Sequence, residues 1–180
     1  MGSFYTSHTL KGPSREEVVS WLGDRPAYVS KSERSFVTVL DEACESQDGA
    51  ILAALGASLS EQFKCPVLAV LNHDDDILYF ELYENGEKSD EYNSTPAYFN
   101  EDAEDDAPCG GDATRLASAF GAVDPKAIES VLRRADYTFA SERHLHLAAA
   151  LGVPEFSVAI GYGYAAENDP RVVEGGYVST

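Results

Sequence analysis

A chain of 180 residues with 44% hydrophobic content is one domain's worth of sequence, or one domain with a small appendage, and can bury a sizeable core. Its formal net charge of −18 repels nucleic acid and anionic membrane, and favours a basic partner, cations or a plain solvated acidic surface. No apolar run is long enough to span a bilayer, nothing at the start resembles a signal peptide, and Cys44, Cys65 and Cys109 lack the spacing of a disulfide framework or zinc site; a cytoplasmic protein with no cofactor and no structural metal is expected.

The first part alternates strands and helices. Ser3 to Leu10 has the period of a strand, ended by Lys11-Gly12-Pro13. Ser14 with Glu17 forms a capping box for a helix reaching about Leu22, with Val18, Trp21 and Leu22 on one side. Ala27 to Ser30 and Ser35 to Leu40 read as strands joined by a polar loop. Asp48 caps the clearest helix of the chain, whose ladder Ile51, Leu55, Leu59 and Phe63 has Leu52 beside it. Val67 to Leu71 is too short an apolar run for a free-standing helix and reads as a strand. Residues 3–71 therefore run β-α-β-β-α-β, the order of a ferredoxin-like core with both helices on one face of an antiparallel sheet.

A hairpin follows. Ile77 to Glu84 and Glu87 to Tyr92 flank Asn85-Gly86, the dipeptide that most readily takes positive φ at both centres of a type I′ turn. This pair should extend the sheet or fold over its edge. Counting by twos puts Leu78, Phe80 and Leu82 on one face and Tyr79, Glu81 and Tyr83 on the other. Pairing through the turn sets Tyr83 opposite Lys88, Glu81 opposite Asp90 and Tyr79 opposite Tyr92. The second face is then a surface of tyrosines and carboxylates, suited to recognition unless the C-terminal helices cover it.

Residues 95–112 read as a loop rich in Pro, Gly, Asp and Glu, holding the run Glu101-Asp102-Ala103-Glu104-Asp105-Asp106, which is expected to be solvated. Asp112 and Asp124, the latter with Pro125 at the first helical position, cap two short helices, and Ser141 caps a third that closes at Gly152. Phe156, Val158, Ile160, Tyr162 and Tyr164 alternate as in a strand, and Arg171 to Thr180 reads as a loose tail. The expected organisation is a core with hairpin over 1–99, an acidic loop over 100–112, and a helical part over 113–180 packed on the core.

Few constellations carry chemistry. His73-Asp74-Asp75-Asp76 is the densest set of oxygen ligands beside a histidine, but Leu78 and Tyr79 stand where a calcium loop needs a ligand and a glycine. A solvated turn is the simpler reading. Gly161-Tyr162-Gly163-Tyr164-Ala165-Ala166 fits a dinucleotide-binding pattern, yet Pro170, Gly175 and Gly176 spoil the helix that must follow. His144 and His146, two apart, cannot share a metal on one helix.

The segment from Leu82 to Phe99 resembles a pattern, LYxNGxxxDEYxSxPxYF, of a group of uncharacterised bacterial proteins, and Leu151-Gly152-Val153-Pro154 and Gly161-Tyr162-Gly163-Tyr164 are similar to the same group. The resemblance implies no activity and hands over no functional residues. Two functional expectations stand. The first is a non-catalytic binding protein with a basic protein partner, using Tyr79, Glu81, Tyr83 and Tyr92. The second is an enzyme or small-ligand protein with a site at His73, Asp74 and Asp76.

Overall fold

The structure, a computed structural model, describes residues 2–98 and 106–180. Of the expected acidic loop over 100–112, residues 100–105 lie outside the described residues, and Asp106 to Asp112 lie within them. The elements are β1 (Tyr5–Lys11), α1 (Arg15–Leu22), β2 (Ala27–Val29), β3 (Phe36–Asp41), α2 (Gly49–Phe63), β4 (Val67–His73), β5 (Ile77–Glu84), β6 (Glu87–Asn93), β7 (Cys109–Gly110), α3 (Ala113–Phe120), α4 (Pro125–Arg133), α5 (Ala140–Leu151), α6 (Tyr162–Ala166), α7 (Pro170–Glu174) and β8 (Val178–Ser179). Short 3-10 turns at Ala43–Ser46 and Glu155–Ser157 complete them.

Eight strands form one sheet in the order β7-β6-β5-β4-β1-β3-β2-β8, and each neighbouring pair is antiparallel. Helices cover both faces, which makes an α+β protein of three layers. On one face α1 and α2 pack Val18, Leu22, Leu52, Leu55 and Leu59 against Leu10, Val37, Val39 and Val67. On the other, α3, α4 and α5 pack Leu116, Phe120, Ile128, Leu132 and Leu147 against Leu68, Leu78, Phe80 and Leu82. Each such fully buried side chain contributes roughly 1.5–3 kcal/mol, so both faces are needed. Further along the second face, Leu40 meets Phe156, Ile160, Ala165 and Tyr177.

Local signals formed the elements they promised in the first half. Ser14 Oγ accepts the Glu17 amide and the Glu17 carboxylate accepts the Ser14 amide, which lowers the pKa of Glu17. Asp48 accepts the Ala50 amide at 2.8 Å and starts α2. The hairpin turn has Asn85 at φ 54° and Gly86 at φ 87°, so the type I′ expectation is met and the hairpin extends the sheet.

Three expectations fail in the C-terminal part. The alternating stretch 156–164 is not a strand: Ala159 turns to φ 55°, Gly161 then opens α6, and the Glu45 carboxylate accepts the Tyr162 amide at 2.8 Å. Phe156, Ile160, Tyr162 and Tyr164 pack on the cluster around Leu40 and Val158 on that of the C-terminal helices, in a folded-back chain and not an extended one. Nor is 171–180 a loose tail. Asp169 caps α7, Tyr177 is buried, and β8 pairs with β2 at the sheet's edge. Ser141, finally, does not cap the third helix. Asp75 does so from the turn between β4 and β5, its backbone carbonyl accepting the Ala140 amide and its carboxylate the Ser141 amide.

Candidate functional site

The hairpin brings the expected tyrosine and carboxylate set only partly together. A bulge between Leu82 and Tyr83 shifts the register, so Tyr92 pairs with Phe80 and Tyr79 with Asn93, while Tyr83 does face Lys88. Glu81 sits opposite Glu91, not Asp90. The extra residue, Ser89, has no partner across the ladder. Tyr92 therefore turns to the C-terminal helices, stacks on Phe80 with ring centroids 5.1 Å apart, and is fully buried. Its hydroxyl donates to the Leu132 carbonyl at 2.8 Å and accepts from Arg143 at 2.8 Å. Burial pushes the Tyr92 phenol up to about 12, against the pull of Arg143.

Tyr79, Glu81 and Tyr83 share the other face, as expected, but α2 rather than the C-terminal helices lies over it. The Tyr83 ring packs so close to Gly56 that a Cβ there would come within 2.8 Å of it, and only 4% of Tyr83 is exposed. Glu81, itself buried, receives the Tyr79 hydroxyl at 2.8 Å, the Tyr83 hydroxyl at 2.6 Å and the Lys88 ammonium at 3.2 Å. Burial, and then the Glu81 carboxylate, raises both phenols. Every polar group of this cluster points at another. It is a satisfied buried network that joins β5, β6 and α2, and it offers a partner little surface.

At the opposite end of β5 the picture reverses. In the turn after His73, Asp74 and Asp75 take φ values of 52° and 61°. Asp75 points inward. Besides capping α5, its carboxylate accepts from Asn72, which in turn donates to the Tyr5 hydroxyl, and that hydroxyl meets His144 Nδ1 at 2.9 Å. This chain of side chains ties the turn to α5 through the interior. Burial drops His144 to about 4 and raises the Tyr5 phenol.

Outward from the same turn lie rings. Phe4 meets the His73 imidazole edge-on at 5.0 Å, and Tyr98 meets it at 6.0 Å. Partial desolvation and then the Asp76 and Asp74 carboxylates raise the Tyr98 phenol. A hollow of about 700 Å³ opens beside it, lined among the described residues by Asp76, Tyr98, Asp106, Tyr137, Phe139 and Arg143, with smaller residues, polar and apolar, between them. Phe4, Tyr98 and Phe139 are 43%, 39% and 55% exposed, unusual for such large rings. Two guanidinium groups of this chain already lie over the Tyr137 ring, Arg134 at 4.8 Å and Arg143 at 4.6 Å. Arg143 is otherwise spent on the carbonyls of Val131, Leu132 and Arg134, where it closes the C-terminal end of α4.

On the far side of Phe4 a hollow of about 480 Å³ is lined by Phe4, Glu45, Ser46, Gln47, Leu71 and His73. Its polar groups hold the fold. His73 Nδ1 meets Gln47 Oε1 at 2.6 Å, Ser46 donates to the Ala43 carbonyl, and Glu45, raised in pKa by burial, takes the Tyr162 amide. Among the described residues no group of three or more His, Cys, Asp or Glu is arranged to hold a metal ion, and no helix is long and apolar enough to cross a membrane.

Of the residues singled out in the sequence, His73, Asp74 and Asp76 meet at this end, Tyr79, Glu81 and Tyr83 form the buried network, and Tyr92 is in the core under the C-terminal helices. Phe4, Tyr98, Phe139 and the inward role of Asp75 were missed. They come from four separate stretches, and no spacing in the sequence links them. Comparison with protein-family models, with curated proteins and with solved structures finds no match.

Proposed function

We propose that this is a non-catalytic acidic binding protein that takes a basic segment of a partner protein at the end of the sheet formed by the turn after His73. The observation that carries the reading is the gathering of exposed Tyr98 and Phe139 with Asp76 around one hollow, and of exposed Phe4 against the His73 ring that Tyr98 also meets. A lysine or arginine lays its aliphatic stem along such rings and its charge against ring face and carboxylate. Each such contact is worth roughly 0.5–1 kcal/mol at an exposed site. The net charge of −18 would steer a basic partner toward the protein and a nucleic acid away from it. An enzyme centred on His73 is the weaker reading, because the imidazole, Ser46 and Glu45 are engaged in holding neighbouring segments together.

Three finer readings go with this one. The ferredoxin-like core is supported by the order β4-β1-β3-β2 within the sheet, with α1 and α2 on one face. A reducing, cytoplasmic setting suits Cys44 and Cys65, both buried, with burial pushing Cys65 up to about 11. Kinship with the bacterial group rests on the residues from Leu82 to Phe99, together with Leu151 to Pro154 and Gly161 to Tyr164.

The test is titration of the full chain with an unstructured lysine- and arginine-containing peptide and with a neutral peptide of equal length, followed by NMR. Salt-sensitive binding of the basic peptide alone is expected, with shifts centred on Asp76, Tyr98 and Phe139, weakened in Asp76→Asn and Phe139→Ala. Binding that both variants leave intact, or no binding at all, overturns the proposal.

A further inference from the structure

The Asn85-Gly86 turn plays no part in the binding proposed above, yet it joins an amide side chain to a neighbour with no Cβ, the arrangement most prone to spontaneous succinimide chemistry. The Gly86 backbone nitrogen, on losing its proton, can attack Asn85 Cγ. The new N–C bond forms as the Cγ–Nδ2 bond breaks, and ammonia leaves. Water then opens the succinimide at either carbonyl, giving aspartate or isoaspartate, so the balance needs water alone. Asn85 is exposed at the hairpin tip, which leaves its side chain open to solvent.

The fold opposes the reaction at this position in two ways. Asn85 and Gly86 are held at φ 54° and 87°, paired on both sides by Glu84 with Glu87. Closing the succinimide ring requires the backbone after Asn85 to rotate out of the turn, against that pairing. The nucleophile is also occupied, because the Gly86 amide donates to Ser60 Oγ at 3.3 Å. Ser60 is fully buried in α2 and gives its own proton to the Cys65 carbonyl at 3.0 Å, which fixes its lone pair toward the turn. The Gly86 Cα hydrogens lie against Glu61, where a Cβ would come within 3.0 Å of the Glu61 Cβ.

We propose that Asn85 is a self-modification site gated by the hairpin, silent while Ser60 holds the turn closed and convertible once the turn opens. Conversion has a structural consequence. Isoaspartate adds a methylene to the main chain, and a two-residue turn cannot absorb it without shifting β6, whose Lys88 reaches back to Glu81. Aspartate instead adds a charge between Glu84 and Glu87.

The experiment incubates the folded full chain, the urea-unfolded full chain and a synthetic peptide of residues 77–93 at mildly alkaline pH, and follows conversion of Asn85 by mass spectrometry of the digest. The unfolded chain and the peptide are expected to convert together and the folded chain many-fold more slowly. Ser60→Ala, shown by its thermal transition to be folded, is expected to convert several-fold faster than the parent while remaining slower than the peptide. A folded chain that converts as fast as the peptide overturns the gate. A folded Ser60→Ala no faster than the parent removes Ser60 from it, and a peptide that does not convert removes the site.

Discussion

The two faces of the sheet are covered by different means. Under α1 and α2 the fit is side chain to side chain: a single helix of 15 residues lays Leu52, Leu55 and Leu59 on the strands, and Gly56 makes room for a tyrosine ring. The C-terminal face is assembled from the shorter helices α3, α4 and α5, each with one end met by a side chain from elsewhere. Asp75 begins α5, Arg143 ends α4, and Lys11 reaches the Phe120 carbonyl at the end of α3. A long helix brings enough apolar stripe to dock by itself. Short helices leave a larger share of unpaired backbone groups, and those groups must be met from other segments. The difference teaches where the molecule is fragile: on the first face in packing, on the second in a handful of polar links.

Each face also buries one histidine, and these give the largest expected effect. His8, under α2, is fully buried with Nε2 at 2.9 Å from the Leu52 carbonyl, and His144, on α5, has Nδ1 at 2.9 Å from the Tyr5 hydroxyl. Burial lowers both to about 4 from an ordinary 6.5. A depressed histidine is neutral when folded and charged when unfolded, so the unfolded chain binds more protons between those values. Stability is therefore full above pH 6.5 and falls as the pH drops toward 4, by roughly 3 kcal/mol for each histidine. Urea unfolding at a series of pH values should show that loss, and His144→Gln should remove about half of the slope. A stability that does not change between pH 7 and 4 in the parent protein would mean that neither ring is held neutral, so the burial argument would fail.

Single core truncations come next. Phe80→Ala on the C-terminal face and Tyr83→Ala on the other should each cost about 3–5 kcal/mol. Equal losses confirm that both faces are closed. If Tyr83→Ala were nearly neutral, the α2 cover over the tyrosine network would be absent in solution, and that face would return as a recognition surface. At the hairpin tip Gly86→Val should cost on the order of 1–2 kcal/mol through left-handed strain, with crowding against Glu61 added to it. Asn85→Asp, which keeps the turn chemistry, should leave the unfolding midpoint nearly unchanged.

How far the sequence foretold this depends on the same contrast. Ser14 with Glu17, Asp48 with its leucine ladder, and Asn85-Gly86 are local instructions whose partners lie within a few residues, and the structure obeys each one. Asp112 and Asp124 did as well for α3 and α4. Period-two counting placed Tyr79, Glu81 and Tyr83 on one face correctly, but it could not see the bulge at Ser89 that turned Tyr92 inward, nor which helix would cover which face. The stretch 156–164 misled because an alternating apolar pattern records contact with a core and not the extension of the chain. At the candidate site His73, Asp74 and Asp76 were legible as a dense polar turn. Phe4, Tyr98 and Phe139 were not, because what makes them a group is the meeting of β1, the end of β6 and the start of α5 in space.

Phe139 is where the smallest effect on stability and the largest on binding should coincide. It stands at the N-cap of α5, but its side chain makes no capping bond; the helix start is held instead by Asp75 on the Ala140 and Ser141 amides. Removing the ring leaves those links and the Phe139 carbonyl untouched, so Phe139→Ala should change stability by no more than about 0.5 kcal/mol. Asp75→Ala, one link inward, should cost roughly 1–2 kcal/mol by uncapping the helix. The pair separates the frame of the site from its surface. A large thermal shift in Phe139→Ala would show that the ring is structural, and its exposure would then be no argument for docking. A small shift, together with loss of basic-peptide binding, is the outcome that a ring reserved for a partner predicts.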